Sequence, residues 1–534
     1  MASQQNQPPQ RPDEDEEVHM LDPEEAEEVV ADDPDALMES DDEGESGAPL
    51  QEIQMENDSV AYFDTHKDSI FTIAQHPKNA HIVATGGGDD VGYIFEVAVK
   101  EEKRPPLPAS WSGSQDGGMP QEREGLKQLF KLSGHTDSVA AIAFTQPAGE
   151  YIVSGGMDGK LQAWQDTSSG ACMAWKFAGE AQEVEEIAWI APCPHAEYPN
   201  TIALGASDGS VWVYAVNAAD KASPLTIVQA FYLHTGPCTA GAWTPDGRLL
   251  ATVSEDESFY VWDVFGEAAA AGITNPSAGQ AVVGLTGEDE RFRVEGGLYS
   301  VAIAPNGAFA AVGGAEGHMR IVGLPRIGAD ASSVTSGARG AGARGKAAGG
   351  KQAGGPKGGA GAATGQAGAI LASLQTQQDS VETISFSAPP LTLMAAGSVD
   401  GSIALIDTAH RFAVRRHIQQ AHFDDETETE QAVIKVEFVK PAAPQQQQGS
   451  GPAAAAQAAP GTWLLTSCGN DGAVRRWDAR GGTAAANRGL VGEWRGHRGG
   501  GEGGGVMGFV QGAGDRVVTA GDDGVALVFN TPIA

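Results

Sequence analysis

The sequence predicts an all-β protein built from eight similar units that follow one another along the chain. Each unit combines a short alternating strand, a second apolar strand ending in small residues, a turn with an aspartate, and a third strand with an aromatic residue. In five units a Ser or Thr, the turn aspartate and the aromatic residue are separated by four and then six positions. Units of about 40 to 45 residues plus insertions account for nearly everything after residue 58. We therefore predict one folded domain over 59–534.

The first 58 residues are strongly acidic. They hold 21 acidic residues and one basic residue, Arg11, in a chain whose formal net charge is −37. Such a segment repels itself and buries little, so 1–58 is predicted to be a disordered tail. It serves either as a solubilising arm or as a tether for a basic partner. Direct nucleic-acid binding is disfavoured in both cases, because phosphates require a basic surface.

Low-complexity insertions interrupt the units near 100–125, 324–368 and 441–461, and are predicted to be flexible. One of them contains the sequence GAGARGKA, Gly340 to Ala347, which matches part of a phosphate-binding loop. Ala347 replaces the Ser or Thr of that motif, and no strand and helix flank it, so a linker is the better interpretation.

Apolar segments, the first residues and the cysteines indicate the cellular compartment. No run of about 18 apolar residues predicts a membrane span, and the polar, acidic start lacks the pattern of a signal peptide. The four cysteines are far apart in sequence, which indicates neither a disulfide framework nor a thiolate metal site. We expect a cytoplasmic protein, with the nucleus as an alternative, and neither a metal ion nor another cofactor.

His135, Ser154 and Asp158 lie in one short segment and raise the question of a hydrolase triad. A catalytic triad is expected once, beside an oxyanion hole. Here the pattern recurs at fixed spacing from unit to unit. Recurrence indicates a structural role, and we predict that the protein is not an enzyme.

The sequence resembles the WD-repeat family in SGH at Ser133–His135, in the dipeptides Trp262-Asp263 and Trp477-Asp478, and in its recurring aspartate turn. This resemblance implies a single WD40 β-propeller of eight four-stranded blades. It also implies a hydrogen-bonded structural tetrad in each complete blade, which in the second unit comprises His135, Ser154, Asp158 and Trp164. Units five and six lack it, with Val312 and Ala396 at the Ser position, and are expected to rely more on packing.

The fourth strand of each blade is expected in the segment after each unit, for example in Leu126–Leu132 and Ala369–Leu374. The last unit ends at Phe529 and has no such segment. The alternating strand Ser59–Phe63 has no other blade to join. We predict that it closes the ring by pairing with the last blade, which removes an exposed sheet edge.

One face of the propeller carries the loops that enter each first strand and the aspartate turns; we call it the mouth face. Aligning the first strands on Phe144, Trp189, Trp243, Ile303, Phe386, Phe438 and Phe509 places the residue four positions earlier near the channel mouth. Entry loops and pre-turn positions add further acids to this face. The predicted partner-binding residues are Glu382, Glu185, Glu183, Glu255, Asp522, Phe71, Tyr299, Asp424 and Asp425.

Carboxylates with a few aromatic side chains suit a basic peptide, because carboxylates accept hydrogen bonds from Arg and Lys and aromatic rings cover their stems. The alternative is an ordinary solvated acidic surface. Within the WD-repeat family, THKDSIFTIAQHP, DSVETISF and DGAVRRWDARGG resemble the group of animal angio-associated migratory cell protein and a fungal chaperone for ribosomal protein L-ten. That resemblance implies a ribosome assembly factor, which binds the basic N-terminal segment of this large-subunit protein and delivers it to the 60S pre-ribosome. We expect the protein to be a monomer. The alternative is a general scaffold in signalling or cell migration.

Overall fold

A computed structural model describes residues 57–97, 123–168, 172, 174–273, 280–327, 366–424, 428–440, 461–480, 489–499 and 504–533. In these residues eight antiparallel sheets follow one another along the chain. The first strand of each sheet contacts the first strands of both neighbouring sheets, so the eight first strands form a closed ring around a channel. This architecture is the predicted eight-bladed β-propeller.

Blades 1 to 4 each contain four strands, which follow one another from the channel outward. Blade 1 consists of Ile70–Gln75, Ile82–Gly87, Gly92–Glu96 and Lys127–Leu132. Blade 2 consists of Val139–Phe144, Tyr151–Gly156, Lys160–Asp166 and Trp175–Gln182. Blade 3 consists of Ile187–Pro192, Thr201–Ala206, Val211–Val216 and Leu225–Phe231. Blade 4 consists of Cys238–Trp243, Leu249–Ser254, Phe259–Asp263 and Ala281–Leu285.

Blades 5 to 7 repeat the arrangement. Blade 5 consists of Leu298–Ile303, Phe309–Gly314, His318–Gly323 and Ile370–Gln375. Blade 6 consists of Val381–Phe386, Leu393–Ser398, Ile403–Asp407 and Ala413–Ile418. Blade 7 consists of Val433–Phe438, Leu464–Gly469, Ala473–Asp478 and Leu490–Arg495. The fourth strands expected in Leu126–Leu132 and Ala369–Leu374 are confirmed, as Lys127–Leu132 and Ile370–Gln375.

Blade 8 closes the ring with strands from both ends of the domain. Its first three strands are Val506–Val510, Arg516–Gly521 and Ala526–Asn530, and the fourth is Ala61–Phe63. Ala61 pairs antiparallel with Val528, which confirms the predicted closure. A two-residue strand, Glu124–Gly125, adds a fifth strand parallel to Ala61–Tyr62. This fifth strand was not predicted, since its sequence was assigned to the first insertion.

Other regular elements are short. The helix Glu267–Ala270 and the 3₁₀ turn Ala315–Gly317 lie in turns, and Phe423–Asp424 pairs with Thr429–Glu430 in a small hairpin that enters blade 7. Among the described residues there is no helix with the length and apolarity that a membrane crossing needs. Residues 1–56 of the predicted tail, and 98–122, 328–365 and 441–460 of the predicted insertions, lie outside the described residues.

The core lies between neighbouring sheets, where each second strand is buried along its length. The small residues that end the second strands make this packing possible. A Cβ on Gly155 would lie 2.7 Å from Ile187 of the next blade, and one on Gly397 would lie 2.8 Å from Val433. Such distances are shorter than real contacts allow, so a larger residue at either glycine would push the next blade outward. The small-residue motif therefore sets the distance between blades.

Candidate partner-binding surface

The His, Ser and Asp of the second unit form a buried hydrogen-bonded chain. His135 Nδ1 lies 3.0 Å from Asp158 Oδ1, and His135 Nε2 lies 2.7 Å from Ser154 Oγ. A carboxylate only accepts, so Nδ1 donates to Asp158, and in that tautomer of the neutral imidazole Nε2 accepts from the Ser154 hydroxyl. Burial alone would raise the pKa of Asp158, but hydrogen bonds from His135 and from backbone N–H groups hold it below its ordinary value. The Ser154 hydroxyl is hydrogen-bonded to His135 inside the blade, which supports the predicted structural role of this group.

The tryptophan completes the tetrad in blade 7 and makes the equivalent bond in blade 4, where Ser258 links His234 to Asp256. The Trp262 indole donates to Thr252 Oγ1 at 2.8 Å, and the Trp477 indole donates to Ser467 Oγ at 2.9 Å. In blade 2, Trp164 is buried and packs edge-on against Phe177, at 5.8 Å between ring centroids. Its indole makes no hydrogen bond to Ser154 among those described, so the fourth link expected for this blade is absent there.

The sequence alone did not reveal the tetrad histidine of blade 7. His422 Nε2 lies 2.8 Å from Ser467 Oγ, and its Nδ1 lies 2.8 Å from Asp471 Oδ1. The Phe423–Asp424 and Thr429–Glu430 hairpin and the 441–460 insertion separate His422 from its partners, so the 19-residue spacing seen for His135 does not apply. The dipeptide Ala421-His422 before an acidic loop was the available signal.

Blade 6 has a glutamine at the position of the tetrad histidine. Gln377 lies four residues before its first strand, as His135 does, and its Nε2 donates to the Ser402 carbonyl at 2.9 Å. Asp400 accepts the Gln378 N–H at 2.7 Å. Blade 6 lacks the tetrad, as expected from Ala396 at the Ser position, but the Gln377 amide adds a polar link of a different kind, to the Ser402 carbonyl.

Every first strand carries a bulge at its second residue. In each blade, the pairing between the first and second strands skips this residue, which marks the same position near the mouth of the channel. The eight bulge residues are Phe71, Ala140, Ala188, Thr239, Tyr299, Glu382, Ile434 and Met507. The predicted placement of Phe71, Tyr299 and Glu382 at equivalent positions agrees with this register.

Each residue before an aspartate turn is held beside the bulge of its own blade. The Glu255 N–H donates to the Pro237 carbonyl at 3.2 Å, and the Asp522 N–H donates to the Gly505 carbonyl at 2.9 Å. The acceptor always lies two residues before the bulge, and the same bond recurs in the other six blades. Glu255 and Asp522 are therefore fixed on the mouth face by backbone geometry.

The charges of three carboxylates from blades 4 to 6 act on the Tyr299 phenol. We call Glu255, Tyr299, Asp379 and Glu382 the mouth cluster. Burial raises the pKa of Tyr299, and the charges of Glu255, Glu382 and Asp379 raise it further, in that order. The Tyr299 hydroxyl donates to the Gly296 carbonyl at 2.7 Å, and the Ser380 hydroxyl donates to Glu382 at 2.7 Å. Glu255 and Glu382 are exposed and accept further donors.

The alignment that put Glu185 at the bulge position is wrong by three residues. Ala188 occupies the bulge of blade 3, and Trp189 pairs with Gly205 where Ala141 pairs with Gly155 in blade 2. The aromatic residue used as a marker lies at a different register in this strand. Glu185 stands in the entry turn, exposed on the same face, at the position that Asp379 holds in blade 6.

Glu183 takes the place of the tetrad histidine in blade 3. It lies four residues before Ile187, as His135 lies before Val139, but its side chain is exposed. Burial raises the pKa of Tyr214 and the Glu183 charge raises it further, so the carboxylate lies near that phenol. Blade 3 thus contributes two acids, Glu183 and Glu185, next to the mouth cluster.

The bulge residues of blades 7, 8 and 1 are apolar: Ile434, Met507 and Phe71, all half-buried. We call them the apolar arc. Phe71 lies against Gly88, where an added Cβ would be 3.3 Å from its ring. The backbone carbonyl of Asp522 accepts the Ser69 hydroxyl at 2.9 Å, which links blades 8 and 1 here. The bulge positions of blades 7, 8 and 1 are therefore apolar, whereas Glu183, Glu185, Glu255, Asp379 and Glu382 place exposed carboxylates on the same face in blades 3 to 6.

The acidic entry loop of blade 7 is partly described. Asp424 lies in the small hairpin, paired with Thr429, and is half-buried. Asp425, also predicted as a binding residue, lies outside the described residues. In the described parts of the chain no three His, Cys, Asp or Glu side chains are placed to hold a metal ion.

Comparison with known proteins identifies the family. The model of the WD domain, G-beta repeat, matches residues 126–165 and 225–263. A crystal structure of Chaetomium thermophilum Sqt1 bound to the N-terminus of the ribosomal protein L10 is 48% identical to this chain, with a TM-score of 0.69; the match covers 89% of this chain and 100% of that one. The chain belongs to the Sqt1 family of WD-repeat proteins.

Two curated proteins extend the Sqt1 relationship. The ribosome assembly protein SQT1 of Saccharomyces cerevisiae is 28% identical over 415 residues, which cover 74% of this chain and 76% of that protein. The human angio-associated migratory cell protein is 25% identical over 442 residues, which cover 83% of this chain and 74% of that protein. The resemblance to this group, predicted from short motifs, is confirmed.

Proposed function

We propose that this protein is a dedicated chaperone in ribosome assembly. It binds the basic N-terminal segment of an L10-type ribosomal protein on its mouth face, shields that segment from RNA, and delivers the protein to the 60S pre-ribosome. The observation that carries the proposal is the 48% identity to a Sqt1 chain solved with the N-terminus of L10. The acidic mouth supports it independently, because its charge is opposite to that of the proposed cargo.

The two halves of the mouth have different tasks in this proposal. Glu255, Asp379 and Glu382 accept hydrogen bonds from arginine and lysine side chains, which are stronger than neutral ones when both partners are charged. Glu183 and Glu185 continue the acidic surface into blade 3. The apolar arc packs against aliphatic or aromatic side chains of the same segment and fixes its direction.

The proposed action is binding without catalysis, and we place it in the cytoplasm, where new ribosomal proteins are made. The repeated His, Ser and Asp side chains hydrogen-bond within their blades and stabilise them. The long-range field of the acidic mouth speeds encounter with a basic segment and weakens as salt screens it. Capture is therefore expected to be fast and dependent on ionic strength.

The test is capture of the L10-type protein by the full chain carrying Glu382→Lys. We expect this variant to lose co-purification while keeping the melting temperature of the wild type, because Glu382 is exposed. Glu197→Lys is the matched control: it makes the same charge change at an exposed turn on the opposite face. Equal capture by wild type and Glu382→Lys, at low and physiological salt, would contradict the proposed site. Co-purification dominated by kinases or ligase subunits would favour a general scaffold instead.

A further inference from the structure

In blades 4, 6 and 7 the third strand ends in an aspartate that pairs with the first residue of the second strand. Asp263, Asp407 and Asp478 each pair with the leucine that begins the second strand, so the three carboxylates occupy equivalent positions. They lie on the face opposite the mouth, where the third strand turns into the fourth. What surrounds them differs between the blades.

Two of the three aspartates bind a cation from their own blade. Arg415 Nη2 lies 2.8 Å from Asp407 Oδ2, and Arg480 Nη2 lies 2.7 Å from Asp478 Oδ2. His410 adds a bond of 2.8 Å to Asp407. Each carboxylate is thus neutralised within its blade.

Blade 4 has apolar residues at both cation positions. Arg415 is the bulge residue of the fourth strand in blade 6, and Val282 is the bulge residue of the fourth strand in blade 4. Arg480 follows Asp478 by two residues, and Phe265 follows Asp263 by two. Asp263 is only 8% exposed, and its Oδ2 accepts the Ala269 N–H at 2.9 Å, while its Oδ1 has no hydrogen-bond partner.

A cavity of about 510 Å³ occupies the space beside this carboxylate, between the outer strand of blade 3 and the outer part of blade 4. Its lining includes Asp263, Val282, Phe265, Ile273 and Gln229. Among the described residues that line it there is no lysine, arginine or histidine. A buried carboxylate without a cationic partner, beside an apolar cavity, is costly unless a charged donor occupies the site.

We infer that this cavity is a second binding site, which takes the guanidinium group of an arginine side chain carried by a partner protein. The arginine replaces in trans the cation that blades 6 and 7 supply in cis. Asp263 accepts its N–H groups, the Gln229 side chain offers an acceptor, and the apolar walls hold its aliphatic stem. The site lies away from the mouth and does not rest on the proposed function.

The test follows the Ile273 δ1 methyl signal of the isotope-labelled full chain, identified by comparison with Ile273→Val. N-acetyl-arginine N-methylamide is titrated against its neutral analogue, N-acetyl-citrulline N-methylamide. We expect the arginine compound to shift this signal in the wild type and in Glu382→Lys, and the citrulline compound to bind about tenfold more weakly or worse. Equal binding of both compounds, or an unmoved Ile273 signal, would overturn the inference.

Two variants separate binding from folding. Asp263→Asn keeps an acceptor for the Ala269 N–H and removes the charge, so arginine affinity is expected to fall about tenfold. Val282→Arg restores the cation in cis, so it is expected to abolish arginine binding and raise the melting temperature. Undiminished arginine binding in either folded variant contradicts the site. Capture of the L10-type protein at the mouth is expected to persist in both.

Discussion

His422 Nε2 and Ser467 Oγ lie 2.8 Å apart although 45 residues separate them in sequence. Through Asp471 and Trp477, this contact ties the acidic entry loop of blade 7 to two of its strands. The entry loop carries Asp424, so the structural brace and the proposed binding surface are connected in this blade. The stability of variants in this blade measures what the hydrogen-bonded chain of His422, Ser467, Asp471 and Trp477 contributes to the fold.

Replacing His422 by alanine is expected to lower the free energy of unfolding by about 2–3 kcal/mol. Ser467 and Asp471 are buried, and each would lose a partner that water does not replace. The measurement is chemical denaturation of the full chain. His417→Ala, at an exposed position one blade away, serves as control and is expected to change stability by less than about 0.5 kcal/mol. Equal effects of both changes would show that the hydrogen-bonded chain stabilises nothing.

Stability is expected to decline as the pH falls below 6.5, partly through His66. Burial lowers the pKa of His66 below its ordinary value of 6.5, although Asp89 raises it in opposition. The fold therefore favours the neutral imidazole of His66. The stability that His66 contributes is complete above pH 6.5 and is lost as the pH falls through the pKa of His66 in the folded state. Each unit of lowering corresponds to about 1.4 kcal/mol.

His66→Gln is the variant that isolates this effect, because blade 6 already uses glutamine at the equivalent position. Its stability is expected to vary less with pH between 7 and 5 than that of the wild type. The comparison is made by denaturation at several pH values. Parallel pH profiles for the two proteins would rule out His66 as a contributor.

Removing residues 1–63 is expected to destabilise the propeller, whereas removing residues 1–50 leaves its melting temperature nearly unchanged. The longer deletion exposes the edge of Ala526–Asn530 and removes the bonds from Asp58 and Val60 to Arg495 and Val528. The shorter one keeps all of these contacts. Thermal unfolding of both truncated chains decides the matter, and equal melting temperatures would show that ring closure adds little.

The two halves of the mouth are expected to respond differently to salt. Glu255→Gln should weaken capture of the L10-type protein most at low salt, because screening reduces the lost attraction. Phe71→Ala should weaken it by about 1–2 kcal/mol at all salt concentrations, since apolar contacts are not screened. Affinities measured at several ionic strengths, with melting temperatures as folding controls, test both statements. A salt-dependent Phe71→Ala effect would contradict an apolar role.

Much of this architecture was predictable from short-range patterns. The spacing of Ser154, Asp158 and Trp164 recurs because every blade repeats one turn and one strand pairing, and the lone strand Ser59–Phe63 had only one sheet to join. Both inferences depend on backbone hydrogen bonding, and a repeated sequence pattern indicates that the same hydrogen-bonding pattern is repeated.

What the sequence did not reveal depends on registers and on long separations. Glu185 was misplaced because the marker Trp189 is apolar like Phe144 but pairs three positions earlier in its strand. An aromatic residue fits either register, and only the bulge at Ala188 fixes the alignment. His422 was missed because insertions lengthen its blade. The pocket at Asp263 became visible only when three blades were compared side by side.

The pairing of Ala61–Phe63 with Ala526–Asn530 joins the first part of the fold to be synthesised with the last. During translation at about 5–20 residues per second, the early strand waits tens of seconds for its partner. Until then the chain is an open arc with two unprotected edges. A protein proposed to protect newly made ribosomal proteins therefore passes through a vulnerable period of its own, which ends only once Ala526–Asn530 has been synthesised.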